Sequence, residues 1–160
     1  MVCYFRAKPC AAPHARLAAA HKAGPAHDRH PHPLIAGLTR GWAGDLETLL
    51  SLYTEDCRFE DKPFGLVHHG HAGVKEVFEF TFSMMPDFKV TYHRHTEIGD
   101  TAAAEWTFTG SFHGEFEGRR HAGTPVSMDG VSFMTLRDGK ILTNCDYHNL
   151  GTLSAQLAAA

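Results

Sequence analysis

Between Phe88 and His148 the chain alternates apolar and polar residues over four long stretches, and no other feature limits its fold as much. Phe88–Ile98 sets Phe88, Val90 and Tyr92 against Lys89, Thr91, His93 and His95. Ala103–His113 sets Trp106, Phe108 and Phe112 against Glu105, Thr107, Thr109, Ser111 and His113. Val126–Leu136 follows, then the hairpin signal Arg137–Asp138–Gly139–Lys140, then Ile141–His148. A period of two predicts strands with one buried face, and short turns make neighbours antiparallel. Helical spacing is confined to other regions. Leu34, Ile35, Leu38 and Trp42 predict one helix, and Asp45 caps a second through Leu46, Leu49, Leu50 and Tyr53. A third carries Val74, Val77, Phe78 and Phe82 to Met85 and is stopped by Pro86; Leu150–Leu157 is a short terminal helix. Asp56–Asp61 is a strand with Cys57, Phe59 and Asp61 on one face. Helices gathered early and long strands gathered late predict an α+β fold rather than alternating α/β.

The 160 residues suffice for one domain with a real core. Residues 1–33 differ from the rest: they hold five of the eight Pro and five of the 13 His, and carry a charge of +4, leaving −7 on residues 34–160. Without apolar periodicity such a segment cannot offset its ordering entropy, so residues 1–33 are expected to be a disordered basic tail. A secretory signal needs roughly 7–15 apolar residues, and Leu17–Ala20 is cut short by His21. A transit peptide would show an amphipathic stripe that is missing; a third reading is a start upstream of the true one. No stretch approaches about 18 consecutive apolar residues, so no membrane span is expected. A net charge of −3 offers no general attraction to nucleic acid. The four Cys form no CxxC pair, which fits unpaired thiols and a cytoplasmic location.

The last strand carries the most chemistry. Leu142, Asn144, Asp146 and His148 share one face; Ile141, Thr143, Cys145 and Tyr147 share the other. Were the first face to border a cavity, desolvation would raise the pKa of Asp146 and suit it to general acid/base work; otherwise it is the wet side of the sheet. Asp61 has inward parity and is either a site residue or a turn cap ahead of Pro63. Glu105 lies on a polar face that either lines a pocket or meets solvent. His93 and His95, at i, i+2, have a spacing that two metal ligands use, but Glu97 does not complete a known set. His68, His69 and His71 crowd a Gly-containing loop. Scattered surface histidine is the expected account, with no metal and no cofactor. Nucleophile elbow, P-loop and dinucleotide fingerprint are all missing from the sequence.

From about residue 34 the chain resembles the nuclear transport factor 2-like superfamily, in particular its SnoaL-like polyketide cyclases. The resemblance is carried by GDLETLLSLYTEDCRFEDKPFG (44–65), PDFKV (86–90), EWTFTGSFHGEFEG (105–118) and LRDGKILTNCDYHNLGTLSAQL (136–157). It implies a cone: a curved antiparallel sheet and N-terminal helices enclosing a deep apolar cavity, as a homodimer. In the cyclases the acid/base aspartate of a cofactor-free aldol closure stands where Asp146 stands, and limonene-type epoxide hydrolases use that position to activate water. Those hydrolases have an Arg and an Asp where this chain has Glu105 and Thr107, and a Tyr and an Asn where it has Phe59 and Asp61. Asp61 resembles the ketosteroid isomerase base. That enzyme's oxyanion Asp falls at Ser132 and its helix Tyr near Gly37, while the cyclases' lining Gln and His fall at Gly130 and Ser132.

The function expected is therefore an aldol cyclase or isomerase acting on a small apolar carbonyl compound held in the cavity. Asp146 and Asp61 are the expected catalytic residues; His148, Glu105, Thr107, Phe59, Trp42, Asn144 and Ser132 are expected to meet substrate. Without a metal a developing enolate needs hydrogen-bond donors, for which His148, Asn144 and Ser132 are available. The alternatives are a non-catalytic ligand-binding or dimerisation module of the same fold and, behind it, an epoxide hydrolase or a His-ligated metalloenzyme.

Overall fold

The computed structural model describes residues 32–160; the expected tail lies outside them but for its last two positions. The elements run α1 (Pro33–Gly41), α2 (Leu46–Ser51), β1 (Tyr53–Asp61), β2 (Leu66–His69), α3 (Gly70–Met84), β3 (Lys89–Ile98), β4 (Thr101–Phe116), β5 (Arg119–Arg137), β6 (Lys140–His148) and α4 (Leu150–Ala158). The helix ends follow ordinary capping chemistry. Pro33 opens α1, where a missing N–H costs nothing. Asp45 accepts from the Thr48 amide at 2.9 Å ahead of α2, and Asn149 accepts from the Gly151 amide at 3.0 Å ahead of α4.

The strands form one curved six-stranded sheet in the order β2-β1-β6-β5-β4-β3, with helices packed on it. All pairings are antiparallel except β1 with β6, which run parallel. One core cluster lies under α1, α2 and the sheet and contains Leu38, Leu49, Tyr53, Val74, Met134 and Ile141. A smaller one holds Phe112, Val126, Met128, Leu153 and Leu157 beneath α4.

Four features depart from the sequence expectation. Tyr53 opens β1 instead of ending a helix. Leu66–His69 is a strand paired with β1, and α3 begins at Gly70, so the expected loop is ordered secondary structure. β4 and β5 run past His113 and start before Val126, joined at Glu117 and Gly118, both with positive φ (49° and 75°) as a tight hairpin turn demands. Finally, register shifts occur in four of the five strand pairings, and those in β3 and β6 change which of the candidate residues share a face. In β3 the shift falls at His93: Tyr92 pairs with Trp106 but Arg94 with Glu105, and His95 lies opposite buried Ala104. His93 and His95 therefore do not share a face, which removes the two-ligand geometry. In β6 the extra residue is Leu142, so Ile141 joins the core rather than the outer face.

Candidate active site

The concave face of the sheet and the helices enclose a cavity of about 450 Å³, mostly apolar in its lining. Trp42, Phe88, Phe108 and Phe112 line it, together with Val77 and Met84 of α3. Trp42, Phe78, Phe82, Phe88, Phe108 and Trp106 form a continuous chain of ring contacts at 4.6–6.1 Å. Phe64, Leu66 and Phe80, all well exposed, reach the same cavity.

Polar groups gather at one end, and strand register explains why. Two rows of paired residues cross the concave face: Tyr92–Trp106–Gly130–His148 and His95–Ala104–Ser132–Asp146–Asp61. The parallel β1–β6 pairing sets Asp61 directly beside Asp146. Asp146 Oδ1 accepts from Ser132 Oγ at 2.6 Å and from Asn144 Nδ2 at 2.8 Å. Ser132 in turn accepts from the Trp106 indole N–H at 2.9 Å. The indole fits only because residue 130 is glycine: a Cβ there would stand 2.3 Å from the ring.

His148 Nε2 lies 3.1 Å from both carboxylate oxygens of Asp61, and its Nδ1 is buried with no partner. An ionised Asp61 accepts, so Nε2 carries the proton of that bond. Asp61 also accepts from the Phe64 amide at 3.2 Å, which makes it both a cavity group and a turn cap.

Burial pushes the Asp146 carboxyl up from 3.8 to about 6. The bonds from Ser132 and Asn144 act against that rise, the neighbouring Asp61 charge adds to it, and His148 opposes it. Asp146 lines the cavity. Burial also raises the phenols of Tyr53 and Tyr92, and the Asp146 charge raises both further. These two cavity-lining tyrosines were not singled out from sequence. Tyr92 was legible through its parity with Phe88 and Val90; Tyr53 was hidden by its helical spacing.

Of the sequence candidates, Asp146, Asp61, His148, Phe59, Trp42, Asn144 and Ser132 all line this cavity. Glu105 and Thr107 do not. They stand on the convex face because they alternate with Trp106 and Phe108: Glu105 bonds Arg94, and Thr107 bonds His93 and Asp129. Among the described residues no group of three or more His, Cys, Asp or Glu is arranged to hold a metal ion.

The family profile of the SnoaL-like domain matches residues 36–144, more than half of the chain. The chain belongs to the SnoaL-like family. Solved structures agree in fold. IdmH from Streptomyces antibioticus, a proposed polyketide cyclase, is 28% identical with a TM-score of 0.68, covering 78% of this chain and 96% of its own. A protein of ketosteroid isomerase-like fold from Catenulispora acidiphila, solved with trimethylamine, is 21% identical with a TM-score of 0.69, covering 79% and 93%. A proposed SnoaL-like polyketide cyclase from Shewanella putrefaciens is 18% identical with a TM-score of 0.70, covering 79% and 95%. No curated protein matches the chain significantly. Among the described residues no helix of this SnoaL-like chain is long and apolar enough to cross a membrane.

Proposed function

We propose that this SnoaL-like protein is an acid/base enzyme that moves a proton at a carbon next to the carbonyl of a small apolar molecule, in an aldol cyclisation or isomerisation. The observation that carries the reading is the Asp146 carboxylate, held at about 6 at the polar end of an apolar cavity. A base with that value is ionised near neutral pH yet remains basic enough to accept a proton. With Oδ1 taken by Ser132 and Asn144, Oδ2 accepts no hydrogen bond from the described residues and is the atom that would take the proton. The C–H electrons pass into the carbonyl to give an enolate. In a cyclisation the enolate carbon attacks a second carbonyl of the same molecule, and the new alkoxide takes its proton from Asp146. Asp61 would hold His148 beside the reacting end, and Phe59 and Trp42 would pack the substrate. The likeness to IdmH supports the same reading.

A non-catalytic binding module would be expected to neutralise a buried aspartate with an Arg or Lys. Asp146 instead meets Ser132 and Asn144, and among the described residues no Lys or Arg lines the cavity, which favours the enzyme. We further propose a homodimer formed by the convex face, and a reducing, cytoplasmic setting in keeping with the unpaired thiols of Cys57 and Cys145. The test of the enzyme reading is proton exchange. An apolar ketone such as 2-tetralone, incubated with the protein in deuterated water, should lose its α-proton NMR signals faster than in buffer. Asp146→Asn should lower the enzymatic rate by about 10²–10⁴. Full exchange in that variant sinks the assignment; binding of the ketone without exchange in wild type supports the module.

A further inference from the structure

An enolate formed beside Asp146 needs donors for its oxygen, and the groups that sequence offers for that purpose are already committed. The Ser132 hydroxyl has one proton, which it donates to Asp146 Oδ1. Asn144, 3% exposed, gives one of its two N–H groups to the same oxygen. His148 spends Nε2 on Asp61, and its Nδ1 has no accessible surface. The Trp106 indole is engaged with Ser132. Among the described residues no Lys or Arg lines the cavity to take over.

Besides the second Asn144 N–H, two donors lie within reach of the Asp146 charge, the phenols of Tyr92 and Tyr53, and neither is hydrogen-bonded to any described residue. Tyr92 pairs with Trp106 across β3 and β4, in the row next to that of Asp146, and it lines the cavity. Between them the two rows hold Ala104, which is buried, and Gly130, whose space the Trp106 indole fills. Tyr53, at 1% exposure, lies deeper, in the core cluster against which Tyr92 packs.

We propose that the Tyr92 hydroxyl, with Tyr53 behind it, is the hydrogen-bond donor that receives the substrate's oxyanion opposite Asp146. The proton stays on the phenol; the bond strengthens as charge gathers on the substrate oxygen. Because both phenols are held well above their ordinary pKa by burial, they remain protonated donors across the working pH range. The inference rests on the enzyme reading for its purpose, but its test is a binding measurement that needs no turnover.

The probe is 2-naphthol, a flat apolar molecule whose naphtholate oxygen stands in for an enolate. In the full-length protein, absorbance gives the pH at which bound naphthol ionises. Tyr92→Phe should raise that pH by about one to two units, a 10- to 100-fold loss of naphtholate over naphthol, as for a hydrogen bond to a charged group. Affinity for naphthalene should be unchanged, which shows that the cavity is intact. Tyr53→Phe, the second variant, should give a smaller rise of the same sign. An unmoved ionisation in Tyr92→Phe overturns the proposal and returns the role to the free Asn144 N–H. If Asp146→Asn keeps full ketone exchange while Tyr92→Phe still shifts the naphthol, the enzyme reading fails and the oxyanion site stands. If exchange is lost and the naphthol does not shift, the reverse holds.

Discussion

Asp146 is costly to the fold in the state that would make it useful. Its carboxyl titrates at about 6 when folded against an ordinary 3.8, so between these limits the native state holds the extra proton. Stability contributed by that proton is complete below pH 4 and is lost as pH rises through 6; by pH 7.5 the loss is about 3 kcal/mol. Asn at this position keeps an acceptor for Ser132 and Asn144 but carries no charge. Asp146→Asn should therefore be more stable than wild type at pH 7.5, by up to about 3 kcal/mol, with the gap closing toward pH 4. Urea denaturation at several pH values measures this, and a gap independent of pH would contradict the titration. The ketone exchange rate should run the other way, falling about tenfold per unit below pH 6 as the base is protonated. Much at this scale was legible: parity alone brought Asn144, Asp146 and His148 to one face, and Asp61 to the inner face of its strand. Ser132 was named from the family resemblance, but its bond to Asp146, with Trp106 donating to it in turn, depends on contacts across strands that no local pattern records.

Elements were legible where period and punctuation agree. The α+β class, the hairpin at Asp138–Gly139 and the terminal helix all follow from local chemistry, and the positive φ of both turn residues (54° and 74°) fits it. Glu105 and Thr107 show the other side. Their parity set them opposite Trp106 but left open whether that polar face lined a pocket or met solvent; the bonds of Glu105 to Arg94 and of Thr107 to His93 and Asp129 lie on the convex face. The bulges at His93 and Leu142 have no sequence signature, yet each reverses a strand's faces from that point. β2 escaped notice because four residues give too little alternation, and the parallel β1–β6 contact joins segments far apart in the chain. Where α3 meets β2, the contact is between backbones. A Cβ on Gly73 would lie 2.8 Å from His68 Cβ and 3.0 Å from its carbonyl carbon. Gly73→Ala should cost about 1–3 kcal/mol through this clash, even though alanine is the better helix former. The urea midpoint checks it; an unchanged or raised midpoint would mean that α3 can lift from the sheet at no cost, and that the wall of the cavity is softer than its packing implies.

The whole molecule presents two unlike faces of one sheet. Its concave side holds the cavity; its convex side exposes Val131, Phe133 and Tyr147, at 41%, 48% and 50%. Val131 pairs with Tyr147, and Phe133 with Cys145, so these apolar groups adjoin one another on the middle strands. Polar pairs border them, Arg94 with Glu105 and Thr107 with Asp129. A patch of adjoining apolar side chains rimmed by charge is what interfaces between proteins present, and a second copy would meet it with the same complementary set of charges. Placing a carboxylate at its centre would set two like charges face to face across a two-fold axis without touching the cavity. Phe133→Asp should therefore convert a dimer into a monomer at micromolar concentration, read by light scattering after size exclusion. Naphthalene affinity should persist, because Phe133 and the cavity lie on opposite sides of β5. A wild type that elutes as a monomer would refute the homodimer itself, and a variant that remains dimeric would move the interface off the convex face. If naphthalene affinity fell together with the dimer, the partner subunit would be shaping the cavity, and both sides of the sheet would belong to one functional unit.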